Sequence, residues 1–138
     1  MKQTFTCKLE SIDTVATVLA EALQEGGILL LEGTLASGKT TLTKALAKAL
    51  HVKAPVSSPT FSIMQNYEDK LFHYDIYQSG LDGFLHQGLL EHLTLSGVHV
   101  VEWADEKFVR LLRGVGLDFI VVKITVLEDK RHYEVTYA

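Results

Sequence analysis

Several things are scarce in this chain. Cys7 is the one cysteine in 138 residues, which excludes an internal disulfide framework and a Cys-rich zinc site. The two prolines, Pro55 and Pro59, fall in one short stretch, and there is no repeat, low-complexity tract or Pro/Gly/Ser linker. The expectation is one continuous domain over residues 1–138. No apolar run approaches the ~20 residues that span a bilayer. The opening MKQTFTCKLESIDT has no apolar segment of the kind a secretory signal needs and carries acids early. A cytoplasmic protein without membrane contact is the reading. Positive charge is scarce too: 13 Lys+Arg stand against 17 Asp+Glu, a net charge of −4. Phosphate neutralisation drives nucleic-acid affinity, so this balance argues against a stand-alone RNA or DNA binder, although a partner can supply such a surface. Arginine occurs only at Arg110, Arg113 and Arg131, all in the last third.

What is present is the composition of an ordinary globular protein, which rules out disorder for the chain as a whole. Residues 3–9 alternate loosely and predict a first strand. Val15, Val18, Leu19, Ala22 and Leu23 recur at helical spacing, predicting an amphipathic helix over residues 13–24 with Ser11 as its cap. Gly26-Gly27 stops that helix, and residues 28–31 read as a short buried strand. The run TTLTKALAKAL is made largely of strong helix formers and predicts a helix from Lys39 to about His51. Residues 57–67 look extended and KLFHYDIY (70–77) alternates, with the acidic turn Glu68-Asp69 joining them as an antiparallel hairpin. Short helical pieces follow over residues 80–95. An apolar strand over residues 98–101 closes on Glu102-Trp103, and a helix follows over about 105–112. Residues 118–127 and 132–137 form a final hairpin through Glu128-Asp129-Lys130. The order β-α-β-α, then a mostly β half, predicts an α/β protein with a mixed sheet flanked by helices.

The most specific pattern is Gly33-Thr34-Leu35-Ala36-Ser37-Gly38-Lys39-Thr40, which satisfies G-x-x-x-x-G-K-[ST] at every fixed position. The chemistry needs that spacing. Gly33 and Gly38 allow the backbone to wrap so that successive N–H groups converge on phosphate oxygens. The helix that follows adds the positive end of its dipole. Lys39 would reach the β- and γ-phosphates and the Thr40 hydroxyl would ligate Mg²⁺. Four specified positions also occur by chance in glycine-rich turns. Here a buried strand precedes the motif and a helix follows it, which is the context that the phosphate-binding reading requires.

Such a loop needs an acid to hold its metal. Glu102, at the end of an apolar strand, takes that position ahead of Glu128-Asp129, whose Lys130-Arg131 neighbours suggest a solvated turn. The bland alternative for Glu102 is a strand-end acid facing water. Trp103 is either a wall of the site or ordinary packing. Ser57-Ser58-Pro59-Thr60-Phe61 is either a turn entering a strand or a switch-like segment in which Thr60 senses the metal or γ-phosphate. His73, Asp75 and Tyr77 share one strand face. Asp75 would orient an attacking or metal-bound water, unless that face is simply polar and exposed. The other histidines, His51, His86, His92, His99 and His132, show no ligand spacing.

The succession of strand and phosphate loop, SSPTF, HYDIY and VVEW resembles the TsaE (YjeE) family of small bacterial ATPases. The likeness covers nearly the whole chain. It implies a P-loop NTPase-like mixed β-sheet in a single three-layer domain with antiparallel hairpins, an ATP·Mg²⁺ site, and a role beside TsaD and TsaB. Their shared product is N6-threonylcarbamoyladenosine at position 37 of tRNA, with tRNA contacted indirectly through the complex. Carried over residue by residue, the resemblance makes Gly33, Leu35, Ala36, Ser37, Gly38, Lys39, Thr40, Thr41 and Trp103 nucleotide contacts. It assigns the metal to Thr40 and Glu102, and catalysis to Lys39, Asp75, Thr60 and Glu102. Adenine contacts fall on Ser11, Thr14 or Arg131. The chain departs from the family pattern at Thr34, where Asp is usual, at Ala36, where Gly is usual, and at Gln78, where Arg is usual. With no arginine in a switch-like segment, hydrolysis is expected to be weak alone and stimulated by partners. The alternatives are a small-molecule P-loop kinase, for which neither acceptor pocket nor arginine-bearing lid is evident, and a nucleotide-gated interaction module without significant turnover.

Overall fold

The computed structural model describes residues 1–34, 37–57 and 63–137. Strand β1 (Lys2–Cys7) leads into helix α1 (Ile12–Ala22), and β2 (Gly27–Glu32) into α2 (Lys39–Ala49). A hairpin of β3 (Met64–Tyr67) and β4 (Leu71–Asp75) is followed by the short helices α3 (Gly80–His86) and α4 (Leu89–His92). Strand β5 (Val98–Glu102), helix α5 (Glu106–Gly114) and the hairpin β6 (Ile120–Val126) and β7 (Arg131–Tyr137) complete the chain. Ser11 precedes α1 as expected, but its side chain makes no capping bond. A single 3-10 turn over Leu9–Ser11 runs directly into the helix instead. The cap at α5 is real: the Asp105 carboxylate accepts from the Phe108 N–H at 3.0 Å.

The seven strands form one sheet in the order β1-β7-β6-β2-β5-β4-β3. The central four, β6, β2, β5 and β4, are parallel, and antiparallel partners close both edges. The inner strands GILLLE and VHVVE are apolar on both faces because helices cover both. On one face, Leu19 of α1 and Leu42 and Leu46 of α2 meet Leu29, Leu31, Val100 and Val122. On the other, Phe84 of α3, Leu89 of α4, and Phe108 and Leu112 of α5 meet Ile28, Leu30, Tyr74 and Val101. At the β3–β4 turn, Glu68 and Asp69 both take positive φ (60° and 56°) at the centre of a tight turn that the Lys70 N–H closes on the Tyr67 carbonyl at 3.0 Å. Glu68 is held there by the N–H groups of Lys53 and Ala54, each 2.8 Å from its carboxylate.

This topology positions a site. The chain leaves β2 for α2 on one face and leaves β5 for α5 on the other. The two connections diverge at adjacent carboxyl ends, which opens a crevice between them. The register puts Leu31 beside Glu102, and Glu102 beside Asp75, so three strands end level with one another.

The second face contains a buried polar group, His99. Its Nε2–H donates to the Leu95 carbonyl at 2.9 Å, and Nδ1 accepts from the Tyr74 hydroxyl at 2.7 Å. The ring stacks on Phe72 with centroids 4.6 Å apart. Burial lowers the His99 pKa from its ordinary 6.5, opposed by the bond to Leu95. The folded state therefore binds fewer protons than the unfolded one in this window. The stability involved is present above the ordinary value and is lost as pH falls from 6.5 through the lowered one. Urea denaturation should show declining stability on acidification over that range, with a shallower slope in a folded His99→Gln variant. An identical slope in the two proteins would rule His99 out as the source.

Candidate functional site

Gly33 leaves β2 where there is no room for a side chain. A Cβ there would lie 2.5 Å from the Ser37 hydroxyl and 3.2 Å from the Ile124 carbonyl. Gly38 supplies a φ of 107°, which L-residues avoid, immediately before α2 begins at Lys39. Between them Ser37 is buried, and its hydroxyl has no hydrogen-bonding partner among the described residues. The loop is braced from two strands away: Arg131 at the start of β7 donates from Nε to the Ser37 carbonyl at 3.0 Å. Leu35 and Ala36 lie outside the described residues.

Lys39 is only 6% exposed. Its ammonium donates to the carbonyls of Gly33 and Thr34 at 2.8 and 3.0 Å, and it stands 3.8 Å from the centroid of the Trp103 ring. Burial lowers the Lys39 pKa, while the negative charges of Glu102 and then Asp75 oppose that shift. Trp103 presents its ring from a strained left-handed backbone, φ 70°, and packs against Tyr77 with centroids 4.6 Å apart. A residue held at such a φ directly after a strand end is over-determined by its surroundings, a pattern that concentrates at functional sites.

Glu102 does not face water. It is 3% exposed and hydrogen-bonds His73, itself fully buried on β4. Asp75 is the register partner of Glu102 on the neighbouring strand β4. Its carboxylate accepts from the Tyr77 N–H at 3.0 Å, and its own N–H donates to Ile63 at 2.8 Å, so its direction is set by the backbone. Lys39, Glu102, Asp75 and Trp103 are thus brought together. Thr40 and Thr41 occupy the first turn of α2. Thr60, with residues 58–62, lies outside the described residues. Ser11 and Thr14 are exposed and Arg131 is engaged with the loop. Glu128 and Asp129 are exposed in the β6–β7 turn.

A magnesium ion fits this donor set. It takes hard oxygen ligands and, in phosphate sites, relies on one or two protein groups plus phosphate and water. One buried carboxylate at a strand end and one hydroxyl at a helix start are the donor types that pattern uses. The described residues contain no group of three or more His, Cys, Asp or Glu that could hold a metal, so the ion would also need oxygens from a bound phosphate chain.

Sequence reasoning left two contacts unread: His73 against Glu102, and Arg131 against Ser37. Period-two alternation had placed His73 on the face of Asp75. The strand order that brings β4 alongside β5, and β7 within reach of the loop, has no local signature.

The sheet order, the two helical layers and the loop between β2 and α2 define a P-loop NTPase-like α/β protein. The family model described as "Threonylcarbamoyl adenosine biosynthesis protein TsaE" matches residues 6–133. The chain belongs to the TsaE family. It is 37% identical over 125 residues to the tRNA threonylcarbamoyladenosine biosynthesis protein TsaE of Treponema pallidum (strain Nichols), covering 88% of this chain and 89% of that one. The TsaE of Aquifex aeolicus (strain VF5) is 36% identical over 125 residues, covering 85% and 81%. The crystal structure of Bacillus YdiB superposes with a TM-score of 0.68 at 29% identity, over 99% of this chain and 86% of that one. No helix among the described residues is long and apolar enough to cross a membrane.

Trp103 is the sole tryptophan, so its emission reports on the lysine beside it. Titration with ATP and Mg²⁺, or with pyrophosphate, should change the emission saturably as Lys39 turns toward phosphate, and Lys39→Ala should abolish the change. Calorimetric binding without any change in emission would mean that Lys39 stays where it is.

Proposed function

We propose that this chain is a weak Mg²⁺-dependent ATPase, one P-loop domain throughout, that serves tRNA N6-threonylcarbamoyladenosine formation in the cytoplasm with TsaD and TsaB homologues. The observation that carries the reading is the meeting of Lys39, Glu102 and Asp75 in one crevice beside a loop whose glycines leave the backbone bare. The names of the relatives point to the pathway.

Each group has a task that its surroundings permit. The ammonium of Lys39 exchanges two loop carbonyls for phosphate oxygens, which carry more charge and make stronger hydrogen bonds. Glu102 and Thr40 would hold Mg²⁺, which when bound screens the charge that develops on the phosphates. Asp75, aimed by the Tyr77 N–H, holds a water in line and accepts its proton. Thr60 would complete this set from the 58–62 segment. Trp103 and Tyr77 exclude solvent on one side. Gly33, Leu35, Ala36, Ser37, Gly38 and Thr41 form the phosphate cradle.

An arginine that neutralises transition-state charge is worth about 10³–10⁵ in rate. Arg131 is committed to the carbonyls of Ser37 and Lys130. Arg110 and Arg113 line a groove of about 890 Å³ with Glu32, Lys123 and Glu134, on the sheet face opposite Lys39 and Glu102. That arrangement supports the reading that a partner supplies the missing charge. The test is reconstitution with TsaD, TsaB, threonylcarbamoyl-adenylate and tRNA. The chain alone should hydrolyse ATP slowly and the partners should accelerate it. Lys39→Ala should lower hydrolysis by about 10²-fold or more and stop multiple-turnover modification. Modification that proceeds unchanged with Lys39→Ala, or phosphate transfer to a small-molecule acceptor, would replace this reading.

A further inference from the structure

His73 has no part in the chemistry above, yet it is the most completely buried polar side chain at the site. It is 0% exposed, and Nε2 contacts the Glu102 carboxylate, which is itself 3% exposed. The other ring nitrogen, Nδ1, is buried with no hydrogen-bonding partner among the described residues. A carboxylate can only accept, so the proton between them belongs to His73 Nε2. With nothing for Nδ1 to donate to, the neutral Nε2–H form leaves no buried donor unpaired.

We propose that His73 is the positioning residue for Glu102: its Nε2–H fixes one carboxylate oxygen and leaves the other to face the crevice and a divalent cation. The geometry supports this in two ways. The bond joins neighbouring parallel strands, so the rotamer of Glu102 is fixed by the sheet. His73 pairs with Val100 in the register and reaches Glu102 diagonally, on the face that also holds Asp75. Donors that hold metal-ligating carboxylates in this way typically change metal affinity about 10–100-fold when removed.

The inference rests on Glu102 holding the metal, and the experiment separates the two. Binding of a non-hydrolysable ATP analogue is measured by calorimetry across a Mg²⁺ titration and again in EDTA, so that no turnover is needed. Circular dichroism and thermal melting establish that each variant is folded. His73→Phe keeps a ring and removes the donor. Its half-saturating Mg²⁺ concentration should rise about 10–100-fold, with EDTA-state nucleotide affinity within about twofold of wild type. His73→Gln restores an N–H donor and should recover most of the loss. It also serves as the test if His73→Phe does not fold: a folded His73→Gln near wild type supports the positioning role, and one as impaired as Glu102→Gln overturns it. A folded His73→Phe with unchanged Mg²⁺ dependence overturns the proposal, provided Glu102→Gln shows the shift. If Glu102→Gln shows none either, the metal assignment falls and the positioning role falls with it. An equal loss of nucleotide affinity with and without Mg²⁺ would make His73 a packing residue.

Discussion

The parallel pairing of β2 with β5, and of β5 with β4, governs the chemistry of this molecule. Parallel strands cannot be joined by tight turns, so each must be followed by a crossover, and each crossover begins at the same end of the sheet. The residues at that end are therefore gathered whatever their distance in sequence. Leu31, Glu102 and Asp75 are level in the register, and the phosphate loop departs one residue beyond the end of the first strand's apolar run. Helices on both faces bury the strands, which lets the last residue of each keep a polar side chain in a largely dry setting. Loss of that register by one residue would turn Glu102 and Asp75 to the opposite face together.

Dryness has a cost that the site offsets locally. An unpaired buried charge is far more expensive than a paired one. Lys39 meets that cost with two loop carbonyls, an aromatic face and two nearby carboxylates, Glu102 with His73, and Asp75 with a backbone N–H. Trp103 takes a strained φ to put its ring over the ammonium. Strain and burial of this kind persist only because the hydrophobic layers on both faces are stable enough to carry them. The balancing is incomplete at two atoms, the hydroxyl of Ser37 and Nδ1 of His73, and both belong to the loop and acid at which a ligand would sit.

Much of this was legible one segment at a time. The glycine spacing, the apolar run before it and the Ala/Leu/Lys run after it identify the loop, because each demand is met within about twenty consecutive residues. The Glu68-Asp69 turn and the final hairpin are local as well, and the alternation of β4 placed His73 and Asp75 on one face. What could not be read is long-range. Nothing in HYDIY says that this strand lies against VHVVE, so a buried His73–Glu102 pair was invisible and Glu102 could as well have faced water. Arg131 is 94 residues from Ser37, and only the order β7-β6-β2 brings it to the loop. Ser11 misled for the opposite reason: the capping preference is local and sound, but a 3-10 turn already satisfied the chain there.

The resting arrangement also limits how the site can respond to ligand. Lys39 is already fully engaged, so an arriving phosphate gains only the difference between its own hydrogen bonds and those Lys39 gives up to Gly33 and Thr34. Pairing with its own loop carbonyls spares a buried ammonium from standing without partners. The loop carbonyls released by Lys39 must then turn to water or tighten elsewhere, which couples ligand entry to the shape of the loop and, through Ser37, to Arg131 on the far strand. Arg131 is held by the carbonyls of Ser37 and Lys130, and Arg110 and Arg113 lie on the opposite sheet face, so none of the three arginines sets its charge beside Lys39 and Glu102.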